Sequence, residues 1–198
     1  MENQKAEMLQ QIIRFQQGDA DAFSWIFETY YSEAFRMAWL ISGNYADSED
    51  IVQETFTACY YHRGQLKNPE SFKSWFYKIL TRAAWKQCKK QRKETPCEEI
   101  QQGEEKSDFG SLEPLENFLR REQDNRIYRA VLALPIKQRT VIVLYYFNEL
   151  SIREIAKVLQ SLEGTVKSRL HNGRKNLKEL LKDEDVEAFA EERRTRAL

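Results

Sequence analysis

The amino-acid sequence predicts an all-α protein with two helical domains that are joined by an acidic linker. Its 198 residues contain only seven glycines and four prolines, so few positions force the chain to turn. Apolar side chains recur three and four positions apart along most of the chain, which is the period of a helix, and alternating strand patterns are absent. Near residue 94 this periodicity stops and the composition changes, which indicates a boundary between two folded parts.

Charge is unevenly distributed along the chain, although the 31 basic and 31 acidic residues balance. Residues 71–93 contain eight Lys or Arg and no acid, whereas residues 94–118 contain eight Asp or Glu and one Lys. The acidic stretch also carries proline and glycine without an apolar period, which is typical of an extended linker. We therefore divide the chain into a first domain at 1–93, a flexible acidic linker at 94–114, a second domain at 115–182 and a charged tail at 183–198.

Three helices are predicted in the part of the first domain that comes after residue 18. Asp19 or Asp21 caps the first of them. The polar stretch GNYADSED separates it from a second helix, DIVQETFTACYY, for which Asp47 and Glu49 are the predicted caps. A polar loop, HRGQLKNPE, leads to a third helix at about residues 71–93.

The third helix combines aromatic and basic side chains on the side opposite its predicted apolar stripe. Tyr77 and Trp85 fall on this outer side together with several lysines. Flat rings can stack on unpaired bases while cations run along the phosphates, so this surface suits single-stranded DNA. The alternative is that Trp85 packs against another element and the lysines are merely solvated. The candidate single-strand contacts are Tyr77, Lys78, Arg82, Trp85 and Lys89.

The second domain ends in ELSIREIAKVLQSLEGTVKSRLHNGRKNLKELL, in which a three-residue break separates two short amphipathic runs. In the second run Val166, Leu170, Gly173 and Leu177 form a stripe that should be buried, continued by Leu180 or Leu181. Gly173 on that stripe would let another helix approach closely. A short helix, a tight turn and a basic helix together predict a helix-turn-helix element that binds duplex DNA.

The opposite side of this last helix is polar and basic. Lys167, Ser168 and His171 lie on its front, and Asn172 and Arg174 lie on its flanks. Serine and asparagine can bond base edges, and lysine can bond guanine or phosphate, so this face suits the major groove. The alternative is a solvated basic helix in an ordinary bundle. The candidate duplex contacts are Lys167, Ser168, Arg169, His171, Asn172, Arg174 and Lys175.

Several function classes find no support in the sequence. No apolar run approaches the roughly 20 residues of a membrane helix, and the polar N-terminus lacks a signal-peptide core, so we expect a cytoplasmic protein. Three widely spaced cysteines indicate reduced thiols, and the Cys59–His62 pair lacks the second ligand pair of a metal site. No phosphate-binding loop or catalytic triad is present, so we expect neither an enzyme, nor a cofactor, nor a small-molecule substrate.

Five motifs succeed one another along the chain: GDADAFSWIFETYY, DSEDIVQETF, SFKSWFYKI, LPIKQRTVIVLYYFNELSIREIA and EGTVKSRLHNGRKNL. Together they resemble bacterial RNA polymerase sigma factors of the extracytoplasmic-function type, over about residues 12–93 and 120–181. The resemblance implies a protein that binds core RNA polymerase, directs it to promoters and assists strand opening. A stand-alone helix-turn-helix regulator is the alternative, and such proteins are commonly dimers on palindromic sites.

The resemblance also implies a role for each part of the chain. The first domain would meet the polymerase clamp through Asp50, Gln53 and Glu54, whose acid and amide groups suit a basic partner surface. The loop at Tyr61–Glu70 and the helix after it would capture bases of the −10 element. The acidic linker would extend toward the active-centre and RNA-exit path of polymerase, and an anti-sigma factor, often membrane-embedded, would be the inhibitor. The −35 duplex would be read by Lys167, Ser168, His171 and Asn172.

Two places depart from the family pattern. The turn before the last helix usually reads Gly–Ile/Val–Ser, but here it reads Gln160, Ser161, Leu162. Leucine thus stands at the expected N-cap, where it cannot accept the helix N–H bonds, and capping by Ser161 with a shifted turn is the alternative. In the first domain, Arg82 and Lys86 stand where many members carry Asn and Asp, which adds positive charge to the predicted −10 surface.

Overall fold

A computed structural model describes residues 2–94 and 126–181 of the chain, and within these ranges all regular secondary structure is helical. The helices form two compact units that divide between Glu94 and Arg126. The predicted linker beyond residue 94, the start of the second domain at 115–125 and the charged tail at 183–198 lie outside the described residues. None of the helices within the described ranges is long and apolar enough to span a membrane.

Within residues 2–94 the first unit has four helices and two short 3-10 turns. The second and third helices are antiparallel neighbours joined by a two-residue connection, and the fourth helix packs against both of them. The helices are α1 at Glu2–Gln16, α2 at Ala20–Ser42, α3 at Tyr45–His62 and α4 at Phe72–Glu94, with 3-10 turns at Arg63–Gln65 and Pro69–Ser71 between α3 and α4.

Side-chain caps fix where α2 and α3 begin. Asp19 caps α2, as predicted, because its Oδ1 accepts hydrogen bonds from the backbone N–H groups of Asp21 and Ala22 at 2.9 and 3.1 Å. These bonds and the guanidinium of Arg14, 2.7 Å away, lower the pKa of the Asp19 carboxyl below its usual value. The charged form of Asp19 is therefore the one that holds the start of α2.

The predicted caps of α3, Asp47 and Glu49, are wrong. Asn44 is the N-cap, and its Oδ1 accepts the N–H bond of Asp47 at 2.9 Å. The Asp47 side chain lies in the first turn, where its charge suits the helix dipole, and accepts a bond from Gln87 of α4 at 2.6 Å. Asp47 thus links α3 to α4 instead of capping α3.

An aromatic cluster forms the core of the first unit. Phe76 of α4 lies at its centre, with its ring 5.3 Å from Tyr30, 5.4 Å from Phe56 and 5.8 Å from Phe72. All four side chains are buried. Rings in such tilted and stacked contacts gain stabilisation beyond the area that they bury, so this cluster fixes α4 against α2 and α3.

Within residues 126–181 the second unit has four helices, of which only the last is long. In chain order they are α5 at Arg126–Ala133, α6 at Ile136–Ile142, which continues as a π-helical segment at Val143–Phe147, α7 at Ile152–Leu159 and α8 at Glu163–Leu180. The predicted apolar stripe of α8 is buried, and Leu181 rather than the exposed Leu180 completes it. Gly173 lies on this stripe against α6, where a Cβ would stand 2.9 Å from Cγ1 of Ile142. The absence of a side chain at residue 173 thus permits α6 and α8 to pack closely, as predicted.

Candidate nucleic-acid interface

The turn between α7 and α8 has the geometry of a helix-turn-helix element. At the start of α7, Ser151 and Glu154 form a reciprocal capping box, with the Ser151 N–H donating to Glu154 Oε2 at 2.8 Å. At its end, Gln160 adopts a left-handed conformation with φ of 48°, and the Ser161 N–H donates to the Ala156 carbonyl at 3.0 Å. This is the Schellman arrangement, which usually has glycine where Gln160 stands.

The start of α8 lacks a side-chain cap. Leu162 occupies the N-cap position and accepts no such bond through its side chain, which is 79% exposed. Capping by Ser161 is a wrong prediction, because its Oγ is buried and makes no hydrogen bond within the described ranges. The acidic Glu163 in the first turn is instead favourably placed for the helix dipole.

Replacing Gln160 with glycine should stabilise the second unit by about 0.5–1 kcal/mol. A left-handed conformation costs a residue with a Cβ about 1–2 kcal/mol, and the greater freedom of glycine in the unfolded chain offsets only part of that gain. Urea unfolding monitored by circular dichroism measures the change. Gln160→Ala is the matched control, because it shortens the side chain but keeps the strained Cβ, so it should give no gain. Equal stability of the two variants would contradict the prediction that the backbone at Gln160 is strained.

The front of α8 is open to solvent, as predicted. Lys167, Ser168, His171, Asn172, Arg174 and Lys175 are exposed, and Arg169 is half-buried. Residues four apart on a helix stand on the same face about 6 Å from one another, so Lys167 and His171 form one row and Ser168 and Asn172 form the next. Opposite them, the buried stripe holds α8 in the unit. The helix thus presents hydrogen-bond donors and cations on one side, and the major groove is wide enough to admit an α-helix.

Arg174 is the member of this surface whose side chain is fixed by its neighbours. Its Nε donates a hydrogen bond to the Tyr146 hydroxyl at 2.9 Å. Its guanidinium carbon also lies 5.3 and 5.5 Å from the ring centres of Tyr145 and Tyr146 in the π-helical segment. The sequence suggested only that Arg174 lies on a flank of α8, because nothing in it indicates that two tyrosines from the end of α6 reach this residue.

The predicted single-strand surface on α4 is wrong at Tyr77, whereas its basic side chains are at least partly exposed. Tyr77 is fully buried, and Thr81, one turn further along the helix, is buried as well. The reason is that α4 packs between α2 and α3, so it buries two adjacent stripes rather than one. Positions 77, 81, 84 and 88 carry no charge, and this pattern could have revealed the second stripe.

The remaining candidates on α4 share one face. Lys78, Arg82, Trp85 and Lys89 succeed one another at intervals of four, three and four, which places them in a single row. Arg82 and Lys89 are exposed, whereas Lys78 and Trp85 are half-buried. This row offers three cations and part of one ring to a nucleic-acid strand.

An exposed aromatic residue outside the candidate single-strand contacts lies at the end of α3. Tyr61 is 74% exposed, and its ring meets that of Tyr60 edge-on at 5.8 Å. Arg63 lies over the Tyr60 ring at 4.7 Å. Helical spacing from the exposed residues Asp50 and Glu54 would have indicated that Tyr61 also faces outward.

The acid and amide surface of α3 is exposed in the way that docking requires. Asp50, Gln53 and Glu54 are all exposed. Lys86 of α4 forms an ion pair with Glu54 at 2.7 Å, and both side chains are about half or more exposed, so the pair contributes at most about 1 kcal/mol. The extra positive charge at Lys86 is thus partly offset by an acid of the neighbouring helix.

The Cys59 thiol offers no reactive group to this surface. It is completely buried, and the burial raises its pKa far above the usual range. Within residues 2–94 and 126–181 no group of three His, Cys, Asp or Glu side chains is placed to bind a metal ion.

Comparison with known families and proteins places both units. The model of Sigma-70 region 2 matches residues 26–94, and the model of Sigma-70, region 4, matches residues 124–177. The ECF RNA polymerase sigma factor SigW of Bacillus subtilis is 33% identical over 178 residues, which cover 87% of this chain and 95% of SigW. The RNA polymerase sigma factor SigV of the same organism is 32% identical over 152 residues, which cover 77% of this chain and 86% of SigV.

Solved structures agree at the level of the fold. The sigma factor RpoE of Bartonella quintana, in complex with the anti-sigma factor NepR, has a TM-score of 0.64 and 23% identity, covering 81% of this chain and 97% of that one. CnrH, in complex with the cytosolic domain of CnrY, has a TM-score of 0.65 and 19% identity, covering 87% and 96%. The chain therefore belongs to the sigma-70 family, as an extracytoplasmic-function sigma factor, a non-enzymatic subunit that directs RNA polymerase to promoters.

Proposed function

We propose that three surfaces of this sigma factor divide the work of promoter recognition. The front of α8 reads the −35 duplex, the basic row of α4 holds the separated −10 strand, and the acidic face of α3 docks on the polymerase clamp. The observation that carries the proposal is the two-sided character of α8, whose buried apolar stripe fixes the helix while its opposite side offers exposed Lys167, Ser168 and His171.

At the −35 element, side chains on the front of α8 contact base edges. Ser168 and Asn172 can each donate and accept, while Lys167 donates to guanine. Arg169, Arg174 and Lys175 lie where cations contact the phosphates on either side of a groove. Base contacts supply the preference for sequence, and phosphate contacts set the register of the helix.

At the −10 element, α4 contributes charge and one aromatic edge. Lys78, Arg82 and Lys89 contact the phosphates of the strand, and Trp85 offers its accessible part to a base. Tyr77 has no part in this contact, because it is buried. The segment at Tyr61–Glu70 begins in the last turn of α3 and precedes α4 in the chain, and it contributes the exposed ring of Tyr61.

We also propose an inhibitory partner and a location in the cell. The sigma factor RpoE has been solved with an anti-sigma factor, and a protein of the same family can be held in the same way. Affinity purification of the tagged chain from its host tests this idea, and recovery with polymerase alone under every growth condition contradicts it. Because polymerase and promoter DNA are its partners, we place the protein in the cytoplasm.

The decisive experiment combines purified chain with core polymerase and maps transcription starts on genomic templates. Starts should share a −35 and a −10 element, and Lys167→Ala should weaken holoenzyme binding to such a promoter by about ten- to a hundredfold, the range expected for one specific base contact. Lys137→Ala is the matched control, since it removes another exposed lysine of the same unit, at the start of α6. Unchanged promoter affinity in Lys167→Ala, or an equal loss in the control, would contradict base reading by α8.

A further inference from the structure

Arg174 is fixed by two tyrosines, unlike the other cations on the exposed front of α8. Within the described ranges, Lys167, His171 and Lys175 make no side-chain hydrogen bond or ion pair, so their side chains are not fixed by the protein. Arg174 instead bonds to the Tyr146 hydroxyl and lies against two rings, which themselves meet edge-on at 5.0 Å. Arg174 is therefore held in one orientation before any ligand binds, whereas Lys167, His171 and Lys175 are not.

The geometry leaves the anion-binding part of Arg174 available. Its Nε is used by Tyr146, so the two terminal nitrogens remain to donate in parallel, which is the arrangement that phosphate oxygens match best. No acidic side chain of residues 2–94 or 126–181 forms an ion pair with Arg174, so its charge is not neutralised there. The residue is exposed although its guanidinium is held.

We propose that Arg174, Tyr145 and Tyr146 form a preorganised clamp for one backbone phosphate of duplex DNA. The inference rests on the proposed reading of the −35 element by α8 and assigns a specific role within it. Arg174 binds the phosphate, and Tyr146 is a positioning residue that holds the plane of the guanidinium. Because its side-chain freedom is already lost in the free protein, Arg174 loses less entropy on binding than a loose lysine does. The clamp supplies affinity and register without reading any base.

Promoter binding by the complete holoenzyme tests the clamp at several salt concentrations. Arg174→Ala should reduce affinity about tenfold and lower the magnitude of the salt slope by about 1, since one phosphate contact is lost. Tyr146→Phe keeps the ring but removes the hydroxyl, and it should reduce affinity about three- to tenfold, which is the net effect of one ordinary hydrogen bond. In the Arg174→Ala background, Tyr146→Phe should have no further effect. Tyr128→Phe, which removes a hydroxyl from α5 of the same unit, is the matched control and should bind normally.

The outcomes separate the clamp from the proposed function. If Lys167→Ala weakens promoter binding but Tyr146→Phe does not, the clamp is overturned while −35 reading by α8 stands. The same holds if the losses of promoter affinity caused by Tyr146→Phe and Arg174→Ala are additive. If neither Lys167→Ala nor Arg174→Ala affects the promoter, the proposed function fails. If Arg174→Ala lowers affinity for core polymerase instead, Arg174 contacts an acidic protein surface, and the phosphate assignment is overturned.

Discussion

Replacing Gly173 with leucine should destabilise the second unit by about 2 kcal/mol and weaken promoter recognition with it. Even a Cβ at this position would lie 2.9 Å from Cγ1 and 3.2 Å from Cδ1 of Ile142, which is fully buried. Overpacking of this kind costs about 1–3 kcal/mol, and the leucine is far larger than a single methyl group. Leucine also has a higher helix propensity than glycine, by just under 1 kcal/mol, so the clash must exceed that gain.

The distribution of tryptophan allows the two units to be monitored separately. All four tryptophans lie before residue 94, so their fluorescence reports the first unit, whereas circular dichroism reports the helices of both. In Gly173→Leu, urea should remove part of the helical signal at a lower concentration while the fluorescence transition stays in place.

Gly164→Leu provides the control for this substitution within the same helix. No heavy atom lies within 4 Å of a Cβ built at Gly164, so the same change there meets open space. We expect it to leave the second unit equally stable or to stabilise it by up to about 1 kcal/mol. If Gly173→Leu is as stable as Gly164→Leu, the stability of the second unit does not depend on the close approach of α6 and α8.

Reversing the charge of Asp50 should weaken binding to core polymerase by at least about 30-fold. Asp50 lies on the exposed acidic face of α3, and like charges brought together at an interface cost several kcal/mol. Because the side chain is exposed, Asp50→Lys should fold normally. Competition of the variant against labelled wild-type chain for core polymerase measures the loss.

Glu28→Lys serves as the matched control for the charge reversal. It makes the same change at an exposed site of α2 that lies outside the proposed docking surface. We expect Glu28→Lys to compete as well as the wild-type chain, at all salt concentrations. Equal losses in both variants would mean that net charge, rather than a defined face of α3, governs the affinity.

The contrast between α8 and α4 explains what the sequence could predict about the interface. In α8 a single apolar stripe is buried and the other side chains are exposed or half-buried, so helical periodicity alone identifies the buried side chains. In α4 two helices cover two adjacent stripes, and Tyr77 is buried in the second. A helical wheel with a single inner face cannot anticipate this, since Tyr77 is polar enough to lie on either side.

The helix caps and the tyrosine contacts of Arg174 were harder to predict from the sequence, for a different physical reason. Asp19 caps α2 because it directly precedes the helix, but Asp47 contacts Gln87, which is distant in sequence. Likewise, the two tyrosines that hold Arg174 come from another helix, in a segment whose π-helical turn shifts the side-chain register. Helical periodicity in the sequence identifies which side chains are exposed. Contacts with other helices determine which of those side chains are fixed in one orientation.

The left-handed backbone at Gln160 has a practical consequence for finding helix-turn-helix elements in genome sequences. The bend between the paired helices is maintained here by backbone hydrogen bonds and by the packing of α8, at a modest conformational cost. A pattern search that insists on glycine at that point would discard this chain. Criteria based on the apolar stripe and the reciprocal Ser151–Glu154 pair would retain it.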